Sequence, residues 1–246
     1  SHLGINVEYQ IQLAPKGIAE AFNLGENFID EDNVCLILGD NLFFGESIDK
    51  LLLKWKIKRG KKIILLPGRL TTWKGQEMFI EALNLINIEL GHEAFYAIIL
   101  GSNQGRNVYQ KKLQRLVEQH RLTHQVRFID HCKNMPLAYK ISDIVISASI
   151  EPEAFGRVSV EAQSMQKMII ASNLGGSNET VIDGKTGVLF EAGNSEDLFE
   201  KIIKVMNMDP NELDKMGILG RENAVKKFNV EKMCFSTYSE YKKLFN

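Results

Sequence analysis

Residues 151–162 read EPEAFGRVSVEA, which puts two carboxylates, Glu153 and Glu161, eight positions apart on either side of Phe155-Gly156. Acids that bracket a glycine turn are candidates for ligand contact. The plainer explanation is that exposed loops and first helical turns favour Glu, where it solvates easily and complements the helix dipole. A second candidate group lies upstream, in Pro67-Gly68-Arg69-Leu70-Thr71-Thr72-Trp73-Lys74-Gly75. Arg69 and Lys74, flanked by glycines at the start of a helix, suit a diphosphate. Arginine brings a planar fork, lysine a point charge, and free amides add partial positive charge. Read singly, these are two ordinary surface bases. Gly101, in Leu100-Gly101-Ser102-Asn103-Gln104-Gly105, opens a third turn where a ligand can approach the backbone closely. Asn173-Leu174-Gly175-Gly176-Ser177-Asn178-Glu179 is a further small-residue loop, and Asp183-Gly184-Lys185-Thr186-Gly187 is a turn.

Something must hold these loops. Short apolar runs at Ile63–Leu66, Tyr96–Leu100, Val126–Ile129, Ile144–Ser147, Met168–Ser172 and Val188–Phe190 read as strands. Helical stretches separate them at about 107–121, 157–166 and 195–207, and Met78, Phe79, Ala82, Leu83 and Ile86 recur at helical period. Two more helices are expected at 210–227 and 230–245, punctuated by Phe228-Asn229. Alternating strands and helices specify an α/β fold, with a parallel sheet covered on both faces and ligands at the carboxyl ends of its strands. Residues 1–50 form an additional β-α-β pattern. Lys54–Lys62, with six bases in nine residues, reads as a solvated connector.

Composition narrows the function. The 246 residues carry 30 Lys and Arg against 31 Asp and Glu, a net charge of −1 that argues against a general nucleic-acid binder. Cys35, Cys132 and Cys234 are scattered without metal-ligand spacing and suit a reducing compartment. No apolar run approaches the ~20 residues of a membrane span. A cytoplasmic location follows as the expectation, extended to the inner face of the membrane. His131, alone after a strand, reads as a packed or exposed histidine.

Taken in order, the motifs of residues 51–246 resemble the donor-binding, C-terminal half of family-4 glycosyltransferases of the two-Rossmann-domain (GT-B) type. The resemblance rests on Gly68-Arg69 with Lys74-Gly75, Glu153-Ala154-Phe155-Gly156 with Glu161-Ala162, Gly175-Gly176, Glu179, and the Asp183-Gly184…Thr186-Gly187 turn. It implies a Rossmann-like, doubly wound parallel sheet and a retaining transfer of a hexose from a nucleotide-diphosphate sugar to a carbohydrate or lipid-linked acceptor, in cell-surface polysaccharide or glycolipid synthesis. It implies three catalytic residues: Glu153 on the sugar hydroxyls, with Arg69 and Lys74 neutralising the departing diphosphate. It also implies that Glu161 holds the ribose while Gly68, Gly101, Phe155, Gly156, Arg157 and Val158 line the nucleotide site, with the base near Arg127–Cys132. No metal and no tightly bound cofactor are expected. A binding module that turns nothing over, and a two-domain sugar epimerase, stay open as alternatives.

The first fifty residues are similar to another family, glucose-1-phosphate thymidylyltransferases, on Gln12-Leu13-Ala14-Pro15-Lys16-Gly17-Ile18-Ala19-Glu20-Ala21-Phe22 and Leu38-Gly39-Asp40-Asn41-Leu42-Phe43-Phe44-Gly45. That resemblance gives Gln12 and Gly17 to the pyrimidine and Asp40 to magnesium. The triphosphate-gripping loop of that family is missing, so nucleotidyl transfer is expected to fail. The chain reads as two truncated proteins joined near residue 50, inactive in transfer without an acceptor domain. Its last helix, with Met233, Phe235, Tyr238, Tyr241 and Leu244, must then find another surface. Residues 1–50 or a second copy of the chain are the expected choices, and peripheral membrane contact is expected as well.

Overall fold

A computed structural model describes residues 52, 55, 57, 60–92, 94–130 and 132–244. The expectations for Gln12, Gly17, Asp40 and His131 fall outside these residues. Six strands, β1 (Lys62–Pro67), β2 (Phe95–Leu100), β3 (Val126–Ile129), β4 (Ile144–Ser147), β5 (Met168–Ser172) and β6 (Val188–Phe190), form one sheet in the order β3-β2-β1-β4-β5-β6. All five pairings are parallel. The helices are α1 (Gln76–Leu90), α2 (Asn107–Gln119), α3 (Met135–Ile141), α4 (Arg157–Ser164), α5 (Ser177–Thr180), α6 (Ser195–Met206), α7 (Pro210–Lys227) and α8 (Val230–Leu244). This is the expected Rossmann-like doubly wound sheet.

The strands are apolar throughout because both faces are covered. Successive side chains of β1 point to opposite sides. Ile64 and Leu66 join Phe79, Leu83, Leu113, Leu198 and Ile202 beneath α1, α2 and α6. Ile63 and Leu65 join Leu137, Tyr139, Val145, Ala162 and Ile169 beneath α3 and α4. The second core also takes in Leu52, Trp55 and Ile57, each buried. Two residues of the basic segment, Trp55 and Ile57, are thus buried, while Gly60 and Lys62 towards its end are exposed. Its apolar residues are driven into the core by the same burial that orders the strands.

Helix ends follow local chemistry. Asn194 caps α6 by accepting from the Glu196 and Asp197 amides, and Asp209 caps α7 ahead of Pro210. Asn229 Oδ1 accepts from the Lys232 amide and so starts α8 after the break at Phe228. The sequence reading lacked α3. Seven residues are too few to show a period, and its Pro136 reads as a breaker although proline is tolerated in a first helical turn. Asn134 caps that helix by accepting from the Leu137 amide.

β1 and β4 are neighbours although far apart in the chain, and the loops after them are pressed together. The Ile150 amide donates to the Trp73 carbonyl at 2.8 Å. Gly75, at φ 70°, sits so close that a Cβ would overlap the Ala148 carbonyl oxygen. Gly75→Ala combines left-handed strain with overpacking, and a loss of roughly 2–5 kcal/mol is expected in urea unfolding. A loss below about 0.5 kcal/mol would show that the two loops are not in register as described.

Candidate functional site

Where β1 and β4 lie side by side, the chain leaves them in opposite directions, α1 to one face of the sheet and α4 to the other. The loops diverge and leave a crevice at the carboxyl ends. A hollow of about 450 Å³ opens there. Its walls carry Gly68, Arg69 and Lys74 from the first loop, Glu153, Phe155 and Gly156 from the second, and Arg157, Val158 and Glu161 from α4. Nine of the ten residues picked out in the sequence thus share one cavity. Gly101 does not line it. A Cβ there would strike the Gly68 carbonyl, so Gly101 lets the β2 loop pack under the β1 loop. The hydrogen bond from the Leu70 amide to the Ser102 carbonyl, 3.1 Å, closes that contact.

The charges are arranged before any ligand arrives. Lys74 Nζ donates to Glu153 Oε1 at 2.6 Å, with side chains only 13% and 15% exposed. The same ammonium lies 4.4 Å from the Trp73 ring centroid. Ser149 Oγ also donates to Glu153 Oε1. Arg69 is exposed, and its carbonyl is held by buried Gln76, whose Nε2 donates to it at 2.9 Å. Gln76 was missed in the sequence because a glutamine at a helix start gives no sign of burial.

The second loop is seated on Gly175-Gly176. The Gly176 amide donates to the Glu153 carbonyl at 2.8 Å, and a Cβ on Gly176 would run into the Phe155 backbone. Phe155, 45% exposed, meets Phe228 edge to face at 5.6 Å, next to the break before α8. Gly156, at φ 74°, is the N-cap of α4. The Ser159 amide donates to the Gly156 carbonyl at 3.0 Å, and Arg157 and Val158, whose amides have no partner four residues back, line the hollow beside it. A buried network fixes α4 from behind. Gln163 Nε2 donates to the Ser159 and Thr180 carbonyls, and Asn223 Nδ2 donates to Gln163 Oε1 and the Thr180 carbonyl.

Glu161 accepts from Arg157 on Oε1, at 2.8 Å from Nη2, and from Tyr139 Oη on Oε2 at 2.7 Å. Tyr139 and Met135, both on α3, line the hollow and were not picked out in the sequence. Burial and then the Glu161 charge push the Tyr139 hydroxyl well above its ordinary range, so it stays a donor. Among the described residues, no group of three or more His, Cys, Asp or Glu could hold a metal ion. No helix of those residues is long and apolar enough to cross a membrane.

The hollow can take an anion on Arg69, Lys74 and the α4 amides, and hydroxyl groups on Glu153 and Glu161. Similarity to known proteins points the same way. The family model for glycosyl transferases group 1 matches residues 47–223, and that for nucleotidyl transferases matches residues 1–77. The capsular polysaccharide biosynthesis glycosyltransferase CapM of Staphylococcus aureus is 27% identical over 174 residues, covering 71% of this chain and 44% of CapM. The structure of Anabaena HepE in complex with UDP and glucose superposes with a TM-score of 0.71 at 27% identity, over 80% of this chain and 52% of that one. A glucose-1-phosphate thymidylyltransferase of Neisseria meningitidis is 52% identical over 52 residues, 21% of this chain and 18% of that enzyme. The chain spans about half the length of the glycosyltransferase relatives it matches.

Removing Lys74 leaves the Glu153 carboxylate bonded to Ser149 but without a counter-charge. Lys74→Met is expected to cost about 1–3 kcal/mol in urea unfolding, between the values for exposed and fully buried pairs. Lys74→Met with Glu153→Leu should recover part of that loss. Additive losses in the double variant would mean that the pair is not coupled.

Proposed function

This chain belongs to the group 1 glycosyl transferases, and from that premise we propose that it is the donor-binding half of an enzyme that moves a hexose from a nucleotide-diphosphate sugar to a carbohydrate or lipid-linked acceptor. The observation that carries the reading is the single hollow at the strand-order reversal, which gathers Arg69, Lys74, Gly156 and Glu161. Arg69 and Lys74 stabilise the negative charge that grows on the diphosphate as the glycosidic bond breaks, a form of electrostatic help that is often the largest catalytic term. Glu153 accepts from hydroxyls of the transferred sugar and Glu161 from those of the ribose. Phe155 and the amides of Gly156, Arg157 and Val158 lie along the phosphates. HepE, solved with UDP and glucose, supports a uridine nucleotide as the first donor to try.

The finer parts of the proposal are retention of anomeric configuration, transfer without a bound metal, and inactivity of this chain by itself. The last rests on the coverage of about half of its relatives, which leaves the acceptor half to other residues. A domain boundary near residue 50 belongs to the same proposal. Helix α8 supports it too. Val230, Met233, Tyr238 and Tyr241 lie close together around one side of the helix and are each at least 60% exposed. An apolar stripe of this kind marks an interaction surface, and the proposed occupant is that acceptor half. Membrane contact at the inner face enters only through a lipid-linked acceptor, and co-sedimentation with anionic vesicles tests it.

Calorimetric titration with UDP-glucose and GDP-sugars, with and without added acceptor, tests the whole reading. Binding with Glu161→Ala weakened by about 1–3 kcal/mol is expected. Unchanged affinity in that variant would remove Glu161 from the site. No transfer is expected from this chain by itself, and binding without transfer once an acceptor half is supplied would leave a binding module. Sedimentation tests α8. A monomer is expected, whereas a dimer abolished by Tyr238→Glu would give the stripe to a second copy of this chain.

A further inference from the structure

Glu161 is gripped from two sides, and the two grips differ in permanence. Arg157 reaches Oε1 through Nε at 3.2 Å and Nη2 at 2.8 Å, but its side chain is 83% exposed. An exposed pair of this kind is weak and yields readily. Tyr139 reaches Oε2 at 2.7 Å from a side chain buried between α3 and the sheet, and its residue is only 2% exposed. Glu161 is the only acceptor this hydroxyl has among the described residues, and a buried hydroxyl left without one is costly. Tyr139 therefore stays when Arg157 moves.

The count of acceptor sites then decides what the carboxylate can read. A carboxylate offers about four lone-pair sites. Arg157 takes two on Oε1 and Tyr139 one on Oε2, so a vicinal diol can be accepted in full only after Arg157 swings away. Tyr139 then still holds Oε2, on a carboxylate that lines the hollow. We propose that Tyr139 is a positioning residue that turns Glu161 into a reader of both ribose hydroxyls, so that the site takes ribonucleotide sugars and rejects 2′-deoxyribonucleotide sugars. The proposal rests on the donor-site reading of Glu161. A ligand lacking the 2′-hydroxyl leaves one oriented, partly buried acceptor unpaired, the situation in which polar sites discriminate most strongly. The donor is then not a thymidine-type sugar nucleotide, despite the likeness of residues 1–50 to thymidylyltransferases.

The test is calorimetric titration of the full chain with UDP and 2′-deoxy-UDP, and with GDP and 2′-deoxy-GDP, in the unaltered protein and in Tyr139→Phe. The unaltered protein is expected to prefer one ribonucleotide over its deoxy form by about tenfold. Tyr139→Phe should weaken the ribonucleotide by a similar factor and change the deoxynucleotide less than about twofold, so that the preference collapses. A purely structural role would weaken both alike and preserve the ratio, which would overturn the inference. Equal binding of both forms by the unaltered protein would also overturn it, while leaving the donor site standing. Binding of none of the four nucleotides would overturn the donor-site reading and this inference with it. If Tyr139→Phe fails to fold, Glu161→Gln takes its place, with the same collapse expected and a retained ratio counting against the proposal.

Discussion

Two parallel strands that share an edge while their chains depart to opposite faces create a gap that no side chain of the sheet can fill. In this protein those strands are β1 and β4, and the groups proposed for the sugar, ribose and phosphates stand around the gap, whereas Gly101 and the described residues of the Arg127–Cys132 stretch do not line it. The rest of the architecture serves that adjacency. Both faces of the sheet are covered, so the strands are rigid. The loops leaving them are pinned to the core by Leu70 and Ala148 and carry the charged groups beyond those anchors. The glycines at the loop bases are there for backbone contact: Gly75 against Ala148, Gly101 against Gly68, and Gly176 against Phe155. Each replaces a side chain with direct packing of one loop on the next.

The charged groups are preorganised against one another. Lys74 rests on Glu153 and Arg157 on Glu161, so each acid is neutralised locally while the hollow as a whole retains the exposed Arg69 and the α4 amides for an incoming anion. The two pairs differ in depth. Lys74–Glu153 is largely buried and braces the two loops, whereas the Arg157 side chain is mostly in solvent. Burial decides which pairing is structural and which can exchange with a ligand, since solvent screens the exposed pair and not the enclosed one. Behind the site, the Gln163–Asn223–Thr180 network ties α4 to α7, so the helix that presents Glu161 is anchored by bonds as well as by apolar packing.

Much of this was legible in order along the chain. Strands β3 to β6 begin and end where the apolar runs do, and α7 begins at Pro210, because burial on both faces and helix capping leave local marks. What was not legible had no local mark. Helix α3 is shorter than the two periods needed to declare itself, and with it Tyr139 and Met135 were missed. Trp55 and Ile57 sit among lysines, and nothing nearby says that a core waits for them. Gln76 looks like any surface glutamine until its partners, Arg69 and Tyr109, are placed beside it.

By itself the sequence determined the types of chemistry available and the loops that carry them: two acids around a glycine, an arginine and a lysine on a helix approach, and small-residue turns at strand ends. Those properties depend on residues near one another in the chain, where sterics and hydrogen bonding act directly. Only the tertiary structure decided that the loops after β1 and β4 meet, that Lys74 faces Glu153 and that Tyr139 fastens Glu161. Strand order is set by the packing of the whole sheet, and contacts between residues 79 and 22 positions apart exist only once that packing is complete.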